Sequence, residues 1–135
     1  MTEFVWPVRV YYENTDAGGV VYHAEYLKFY ERARTEWLRS LGFEQPELRA
    51  RDGVIFVVRS MQIKYQQPAR FNEMLEVRSR LCELGRSRFV FEQCLMRGSE
   101  KLNEATVEVV CVNESGFRPA ALPSHIRQQF EKVLS

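Results

Sequence analysis

The chain has 135 residues, which is enough for one domain with a substantial core and short for two. Its 19 basic and 18 acidic residues leave a net charge of +1, so it lacks the excess positive charge typical of a nucleic-acid-binding protein. Hydrophobic residues make up 45% of the chain, a globular composition that excludes a disordered or fibrous protein. We therefore expect one domain over residues 1–135 and no nucleic-acid partner.

The amino terminus and the cysteines favour a cytoplasmic protein. The first ten residues, MTEFVWPVRV, lack the charged start, apolar run and cleavage site of a signal peptide. The apolar run VIFVV is far too short to span a membrane. The three cysteines, Cys82, Cys94 and Cys111, form no CxxC pair and have no histidine close by in sequence, so we expect reduced thiols and no metal site.

The first third of the chain predicts a strand, a glycine-rich turn and a long helix. Residues 4–12, FVWPVRVYY, have a strand pattern in which Pro7 favours the edge of a sheet. Residues 13–23, ENTDAGGVVYH, form a polar turn that ends at one of the two histidines. From Ala24 to Gly42, apolar residues recur every three to four positions, which predicts a largely buried amphipathic helix.

The rest of the chain predicts mainly strands. Residues 44–53, EQPELRARDG, are consistent with a short second helix or a lid-like loop. Four strand patterns follow, in VIFVVRSMQIKYQQP, MLEVRSRLCELG, RSRFVFEQCLM and ATVEVVCVN. Gly85 and the segment RGSEK predict hairpin turns, so we expect these strands to form an antiparallel meander. The segment PSHIRQQFEKVL predicts a carboxyl-terminal helix with His125 on the surface.

The order of these elements predicts the fold class. One long apolar helix and one sheet in the same small domain must bury each other's apolar sides. We therefore predict an α+β fold in which a twisted antiparallel sheet wraps around one central helix.

Residues 10–34, VYYENTDAGGVVYHAEYLKFYERAR, resemble the signature of hotdog-fold acyl-CoA thioesterases of the 4-hydroxybenzoyl-CoA thioesterase type. They are most similar to the YbgC-like subgroup, which is associated with the Tol–Pal cell-envelope system. The segments FVVRSMQIKYQQPAR, LNEATVEVVCV and RPAALP share the resemblance, so it covers nearly the whole chain. It implies the hotdog fold, an acyl-CoA substrate without a separate cofactor, and dimers that assemble into tetramers with the active sites at the dimer interface.

The chemistry of thioester hydrolysis suits the glycine-rich turn. A thiolate leaves readily because the thiol pKa is about 8.5, so the site needs a nucleophile or a base and a group that stabilises the oxyanion. The resemblance implies that Asp16 attacks the carbonyl or deprotonates water, and that the His23 N–H polarises the carbonyl. The His23 side chain has two possible roles: it orients water or substrate, or it is purely structural. Tyr12 lines the site, and Gly19 and Val20 contact the substrate.

The sequence indicates less clearly which residues bind the coenzyme and acyl ends of the substrate. Coenzyme A carries phosphates, which favours Arg86 and Arg88 in the GRSR hairpin and Arg118 after the last strand as binding residues. Taken singly, each of these arginines is more typical of an ordinary solvated surface side chain. Aromatic residues that could shape an aromatic-acyl or a short aliphatic pocket are Phe29, Tyr30 and Trp37.

Two other functions are compatible with the resemblance. The first is an envelope-associated scaffold, peripheral at the inner membrane, that binds acyl carrier protein or lipid-synthesis enzymes. The second is a hotdog dehydratase, which the NTDAGGVVYH turn does not resemble. Another hotdog subgroup uses a carboxylate from the central helix, which draws attention to Glu31. Because the match here is to the turn-aspartate type, we expect Glu31 to be structural.

Overall fold

The structure is a computed structural model that describes residues 3–135. This part of the chain contains five strands and three α-helices. In chain order they are β1 (Phe4–Arg9), α1 (Glu25–Ser40), α2 (Gln45–Asp52), β2 (Val54–Tyr65), β3 (Met74–Leu84), β4 (Arg88–Arg97), β5 (Glu100–Asn113) and α3 (Ser124–Val133).

The five strands form one antiparallel sheet in the order β1-β3-β4-β5-β2. The predicted hairpins between β3 and β4 and between β4 and β5 are confirmed. The predicted meander of four strands is wrong in one place, because β2 pairs with β5 from Val54↔Asn113 to Tyr65↔Asn103 and does not touch β3. The other side of β3 is occupied by β1, and residues 66–73 carry the chain across instead of forming a tight turn.

Helix α1 lies against the concave side of the sheet and forms the centre of the core. Its inward-facing residues are Tyr26, Phe29, Tyr30, Ala33, Trp37 and Leu38. Alternate residues of β3, β4 and β5 cover them, including Leu75, Val77, Leu81, Phe89, Phe91, Leu95, Val107 and Val109. Each such aliphatic or aromatic side chain contributes about 1.5–3 kcal/mol through burial. The predicted α+β hotdog fold is therefore confirmed.

Strand β1 is shorter than the predicted strand over residues 4–12, because the chain turns at Asn14. The Asn14 Oδ1 accepts the Tyr11 N–H at 2.8 Å, and the Asn14 N–H donates to the Tyr11 carbonyl at 3.0 Å. These bonds close a short 3-10 helix over Tyr12–Asn14. The strand therefore ends at Arg9, and the glycine-rich turn begins beyond the sheet.

The segment that was consistent with a helix or a lid is the helix α2. It ends at Gly53, whose φ of 65° lies in the left-handed region that favours glycine. The first turn of α3 lies near its end, with the His125 Nε2 3.5 Å from the Asp52 Oδ2. The His125 ring also contacts Phe43. His125 is therefore a surface residue, as predicted, whose 38% exposed side chain also contacts two neighbouring elements.

Strands β1 and β2 form the two edges of the sheet, and they differ in character. Strand β1 has six residues and contains Pro7, which cannot donate a backbone hydrogen bond. Strand β2 has twelve residues, contains no proline and exposes half of the Val58 side chain. The predicted edge position of Pro7 is confirmed, while the longer edge of β2 remains open to another strand.

Candidate active site

The glycine-rich turn is a tight hairpin between the 3-10 helix and α1. The Asp16 N–H donates to the Val20 carbonyl at 2.9 Å, and the Gly19 N–H donates to the Asp16 carbonyl at 3.0 Å. Thr15 and Val21 form an antiparallel bridge beside them. Gly19 has a φ of 80°, a conformation that other residues adopt only with strain. The turn therefore depends on glycine at this position and places Asp16 at its tip.

The Asp16 carboxylate is exposed and only partly engaged. Its Oδ1 accepts the Gly18 N–H at 2.8 Å, and the Oδ2 receives no hydrogen bond from residues 3–135. A Cβ at Gly18 would lie 3.2 Å from the Oδ1, closer than most Cβ contacts. Gly18 thus leaves room for the carboxylate, which is oriented by one backbone bond and keeps one oxygen free.

Helix α1 begins without a side-chain cap, directly after this hairpin. Its capping position is Ala24, which offers no side-chain acceptor. The Tyr22 N–H donates to the Asn14 carbonyl at 2.9 Å, and the Glu25 N–H donates to the Tyr22 carbonyl at 2.8 Å. Between these two bonds, the N–H groups of His23 and Ala24 find no acceptor within the described part of the chain. They form the positive end of the helix dipole and are available to an oxygen outside the protein.

The hairpin positions Asp16 near these free amides. Two backbone hydrogen bonds cross the hairpin, one between Tyr22 and Asn14 and one between Asp16 and Val20. Asp16 is therefore two residues along the hairpin from the level of Tyr22. Two residues of extended chain span about 7 Å. A small group placed between the Asp16 carboxylate and the start of α1 would therefore be close to both.

Buried Asn14 joins the hairpin to the first residue of α1. Its Nδ2 donates to the Glu25 Oε1 at 2.9 Å, in addition to its bond to the backbone at Tyr11. Lys28 forms an ion pair with Glu25 at 2.8 Å. The hydrogen bond from Lys28, and secondly that from Asn14, lower the pKa of Glu25 below its ordinary value. Glu25 is thus held as a carboxylate at the positive end of the helix.

Two tyrosines that the sequence did not single out brace the start of α1. The Tyr65 hydroxyl, at the end of β2, donates to the His23 carbonyl at 2.9 Å. The Tyr26 hydroxyl accepts the Ala69 N–H at 3.0 Å, and the Val21 N–H donates to the Ala69 carbonyl at 2.8 Å. In the sequence, Tyr65 is one more alternating strand residue. Its contact with His23 spans 42 positions, and no local pattern signals it.

The structure brings Asp16, Gly19, Val20 and His23 into one turn, with Tyr12 just before it. The His23 ring is exposed and lies 4.4 Å from the Tyr22 ring, centroid to centroid. The Tyr12 ring is 74% exposed and stacks on Phe71 at 3.7 Å.

The three arginines predicted for coenzyme binding lie elsewhere in the chain. Arg88 forms ion pairs with Glu83 and Glu108. In the sheet it lies opposite Val110 of β5, which in turn lies opposite Val57 of β2. Arg86 and Arg118 are exposed at the same end of the sheet. Val57 is eight residues from Tyr65, or about 26 Å of strand. Within one copy of the chain, these arginines are therefore remote from Asp16.

Glu31 and the three cysteines, the other side chains considered as candidates, lie in surroundings that do not favour catalysis. Glu31 accepts a bond from the Thr35 hydroxyl at 2.6 Å, one turn further along α1. Burial raises the pKa of the thiols of Cys82, Cys94 and Cys111, which makes them poor nucleophiles. Among residues 3–135, no group of three or more His, Cys, Asp and Glu side chains is arranged to hold a metal ion. No helix in that range is long and apolar enough to cross a membrane.

Comparison with known proteins decides the family. The family described as the thioesterase superfamily matches residues 18–104, from the glycine-rich turn to the start of β5. The chain belongs to the thioesterase superfamily. The matched part of this thioesterase includes the free amides at the start of α1, the three strands β2, β3 and β4, and the beginning of β5.

Relatives and solved structures agree with this assignment. The thioesterase is 50% identical over 132 residues to the acyl-CoA thioester hydrolase YbgC of Escherichia coli O6:H1, covering 97% of this chain and 98% of the relative. It is 46% identical over 130 residues to the acyl-CoA thioesterase YbgC of Haemophilus influenzae, covering 96% of each. The crystal structure of a probable thioesterase from Bartonella henselae superposes with a TM-score of 0.86 at 39% identity, covering 90% of this chain and 99% of that one.

A DHNA-CoA thioesterase from Staphylococcus aureus shares the fold with a TM-score of 0.92 at 24% identity, covering 98% of this chain and 91% of that one. The likeness to the YbgC proteins extends over nearly the full length of both partners. The protein is an acyl-CoA thioesterase of the hotdog fold.

Proposed function

We propose that Asp16 acts on a thioester carbonyl whose oxygen is held by the free N–H groups at the start of α1. The observation that carries this proposal is the pair of His23 and Ala24 amides, which have no acceptor within residues 3–135 and directly follow the hairpin that holds the Asp16 carboxylate with one free oxygen. One preorganised donor of this kind is worth about 3 kcal/mol to an oxyanion.

Asp16 has two routes to the products. As a nucleophile, its Oδ2 adds to the carbonyl carbon and expels the coenzyme A thiolate, leaving a mixed anhydride that water hydrolyses. As a base, it takes a proton from a water that adds to the same carbon. Single-turnover hydrolysis in 18O-labelled water identifies the nucleophilic route when water attacks the Asp16 carbon of the anhydride, because the first turnover's product then keeps an oxygen from Asp16. His23 orients the water or substrate, and Tyr12 lines the site.

The decisive variant is Asp16→Asn, which preserves the shape of the side chain and removes its charge. We expect kcat for acyl-CoA hydrolysis to fall by about 10²- to 10⁴-fold, measured by release of free thiol. Glu13→Gln is the matched control, since Glu13 is an exposed carboxylate three residues away. Equal rates for Asp16→Asn and the parent, at equal melting temperatures, would refute the role of Asp16.

The complete site is proposed to form between two copies of the chain that pair through β2. An antiparallel two-fold pairing places the Tyr65 end of one β2 beside the Val54 end of the other. The turn of one copy then approaches the sheet end that carries Arg86, Arg88 and Arg118 in the second copy. This arrangement is consistent with phosphate binding by those arginines, although Arg88 would have to share its charge with Glu83 and Glu108. We propose that two such dimers form a tetramer.

An alternative function is that of an envelope-associated scaffold. The feature that favours it is the exposed aromatic surface beside the turn, formed by Tyr11, Tyr12 and Phe71. On this proposal an acyl carrier protein, or a lipid-synthesis enzyme of the inner membrane, docks on that surface, and the thioesterase is a cytoplasmic protein bound peripherally there. Binding of acyl carrier protein that persists in Asp16→Asn and is lost in Phe71→Ala would support the scaffold.

A further inference from the structure

A small cavity of about 130 Å³ lies between α1 and the half of the sheet next to the open edge. Its walls are mainly aromatic and aliphatic, with Trp37 from the helix, Phe56 and Val58 from β2, and Phe89 and Phe91 from β4. A cavity of about 150 Å³ with apolar walls can hold benzene. This one therefore has room for a group of about six non-hydrogen atoms.

One cation, Arg34 of α1, lines this cavity without an anionic partner. Its Nη1 donates to the Gln93 Oε1 at 3.0 Å, and no carboxylate of residues 3–135 lies within ion-pair distance. Burial lowers the pKa of Arg34 to about 10, opposed by the nearby Glu31, so the guanidinium remains protonated at neutral pH. A guanidinium has five N–H donors, and half-buried charged donors need acceptors. Arg34 thus has unused donors beside an apolar cavity.

We propose that this cavity receives the acyl end of the substrate, and that Arg34 selects acyl groups with a neutral oxygen acceptor at the end remote from the thioester. The inference rests on the proposed function and on the proposed pairing of two copies through β2. The acceptor is neutral because the Glu31 carboxylate lines the same cavity and would repel a second negative charge.

The cavity serves the Asp16 turn of the second copy. Within one copy, Arg34 is nine residues beyond Glu25, which is about 14 Å along α1 and too far for a short acyl group. The cavity residues Phe56 and Val58 belong to the first half of β2, whereas Tyr65, which holds His23, ends the second half. A two-fold axis near the middle of β2 therefore brings the cavity of each copy beside the catalytic turn of the other.

The first test is the ratio of kcat/KM values for 4-oxopentanoyl-CoA and pentanoyl-CoA, which differ in a ketone oxygen near the remote end. In the parent we expect a preference for the ketone of about tenfold, the order of one hydrogen bond to a charged donor. In Arg34→Met, which keeps the apolar stem and loses the guanidinium, the ratio should approach one. Arg32→Met, on the exposed face of α1, is the matched control and should retain the preference.

A ratio of two substrates on the same enzyme does not depend on how much of the enzyme is folded. If Arg34 merely joins α1 to Gln93, Arg34→Met will lower the melting temperature and leave the ratio unchanged, which would overturn the inference. A parent without the preference would also overturn it. Failure of the parent to hydrolyse either substrate, or full activity of Asp16→Asn, would instead refute the proposed function.

The second test asks whether the cavity and the turn come from different copies. Asp16→Asn and Arg34→Met chains are unfolded together, refolded as a mixture and assayed with both substrates. If the site is shared, the Asp16 turn of the Arg34→Met chain meets the intact cavity of the Asp16→Asn chain, and ketone-selective hydrolysis returns. If both lie in one copy, every site carries a defect, and the mixture shows only the unselective activity of Arg34→Met.

Discussion

At the scale of single residues, the Tyr65 hydroxyl contributes more than its place on an edge strand suggests. It donates to the His23 carbonyl, which receives no other hydrogen bond from residues 3–135. Fixing this carbonyl fixes the plane of the peptide unit that it shares with the Ala24 N–H. The bond thereby orients the free Ala24 N–H, and we expect Tyr65 to act as a positioning residue for the reaction.

We expect Tyr65→Phe to lower kcat by up to about tenfold, because one hydrogen bond of this kind is worth at most about 1.5 kcal/mol. KM should change little, since the oxyanion bond strengthens only in the transition state. Steady-state kinetics and a melting curve provide the measurement, with Tyr11→Phe, on the exposed side of the turn, as the matched control. An increase in KM at constant kcat would contradict a positioning role.

The space around the Asp16 carboxylate can be tested with a single methyl group. In Gly18→Ala the new Cβ would lie 3.2 Å from the Asp16 Oδ1, so the carboxylate has to shift. A misplacement of a reacting group by about 1 Å can cost about 100-fold in rate, so we expect this smaller shift to lower kcat by up to about tenfold. Gly116→Ala is a matched control, because its Cβ would press on the Asn113 Oδ1 at 3.1 Å, remote from the turn. Comparable losses in both variants would point to a general effect of alanine on stability.

At the scale of elements, the start of α1 is assembled from three parts of the chain. Asn14 connects it to the 3-10 helix, Tyr65 connects it to the end of β2, and Tyr26 connects it to Ala69 in the crossing segment. Isolated helix starts need caps, and α1 has none of its own. Its amides are left free because neighbouring elements hold the helix in place.

The Glu25 carboxylate makes this arrangement sensitive to acid. Its pKa is lowered in the folded protein from an ordinary value of 4.5, chiefly by the bond from Lys28, so the charged form contributes to stability. That contribution is complete well above pH 4.5 and is lost as the pH falls through the lowered value. We expect Glu25→Gln to reduce the free energy of unfolding at pH 7 and to have little effect at an acid pH below the lowered pKa of Glu25. Urea unfolding at both pH values measures this, with Glu13→Gln as the control.

At the scale of the whole molecule, the two edges of the sheet predict how copies of the chain associate. The β1 edge is short and contains Pro7, whereas β2 is a twelve-residue edge that pairs with β5 on one side and with no strand of residues 3–135 on the other. Long open edges of this kind pair with other strands unless they are protected. The β2 edge is therefore the one that we expect to pair in solution.

Val58→Lys places a charge beside this edge, at a side chain that is 50% exposed in one copy and would be buried by pairing. We expect the variant to shift towards the monomer in light scattering and to lose activity, since the proposed site needs two copies and Val58 also lines its cavity. Val5→Lys, at a 43% exposed position on β1, is the matched control and should leave both unchanged. A fully active Val58→Lys monomer would refute a site shared between copies.

Much of this architecture follows from local patterns in the sequence. The three-and-four spacing of apolar residues identifies α1, and the alternation around Gly85 and Gly98 identifies the hairpins of β3, β4 and β5. The prediction failed where partners are distant in sequence. Strand β2 lies beside β5 because β1 occupies the other side of β3. No local sequence pattern indicates which edge of the sheet β2 joins.

The same division holds for the candidate site. The sequence by itself determined that a carboxylate sits in a glycine-rich turn before an apolar helix, and its likeness to the thioesterases indicates what that carboxylate does. Only the tertiary structure decided that, within residues 3–135, the amides before α1 have no acceptor and Arg34 faces a cavity without an anionic partner. It alone also placed the Tyr65 hydroxyl on the His23 carbonyl. Turns and helices are encoded by neighbouring residues, whereas free donors and cavities result from packing between elements that are far apart in the chain.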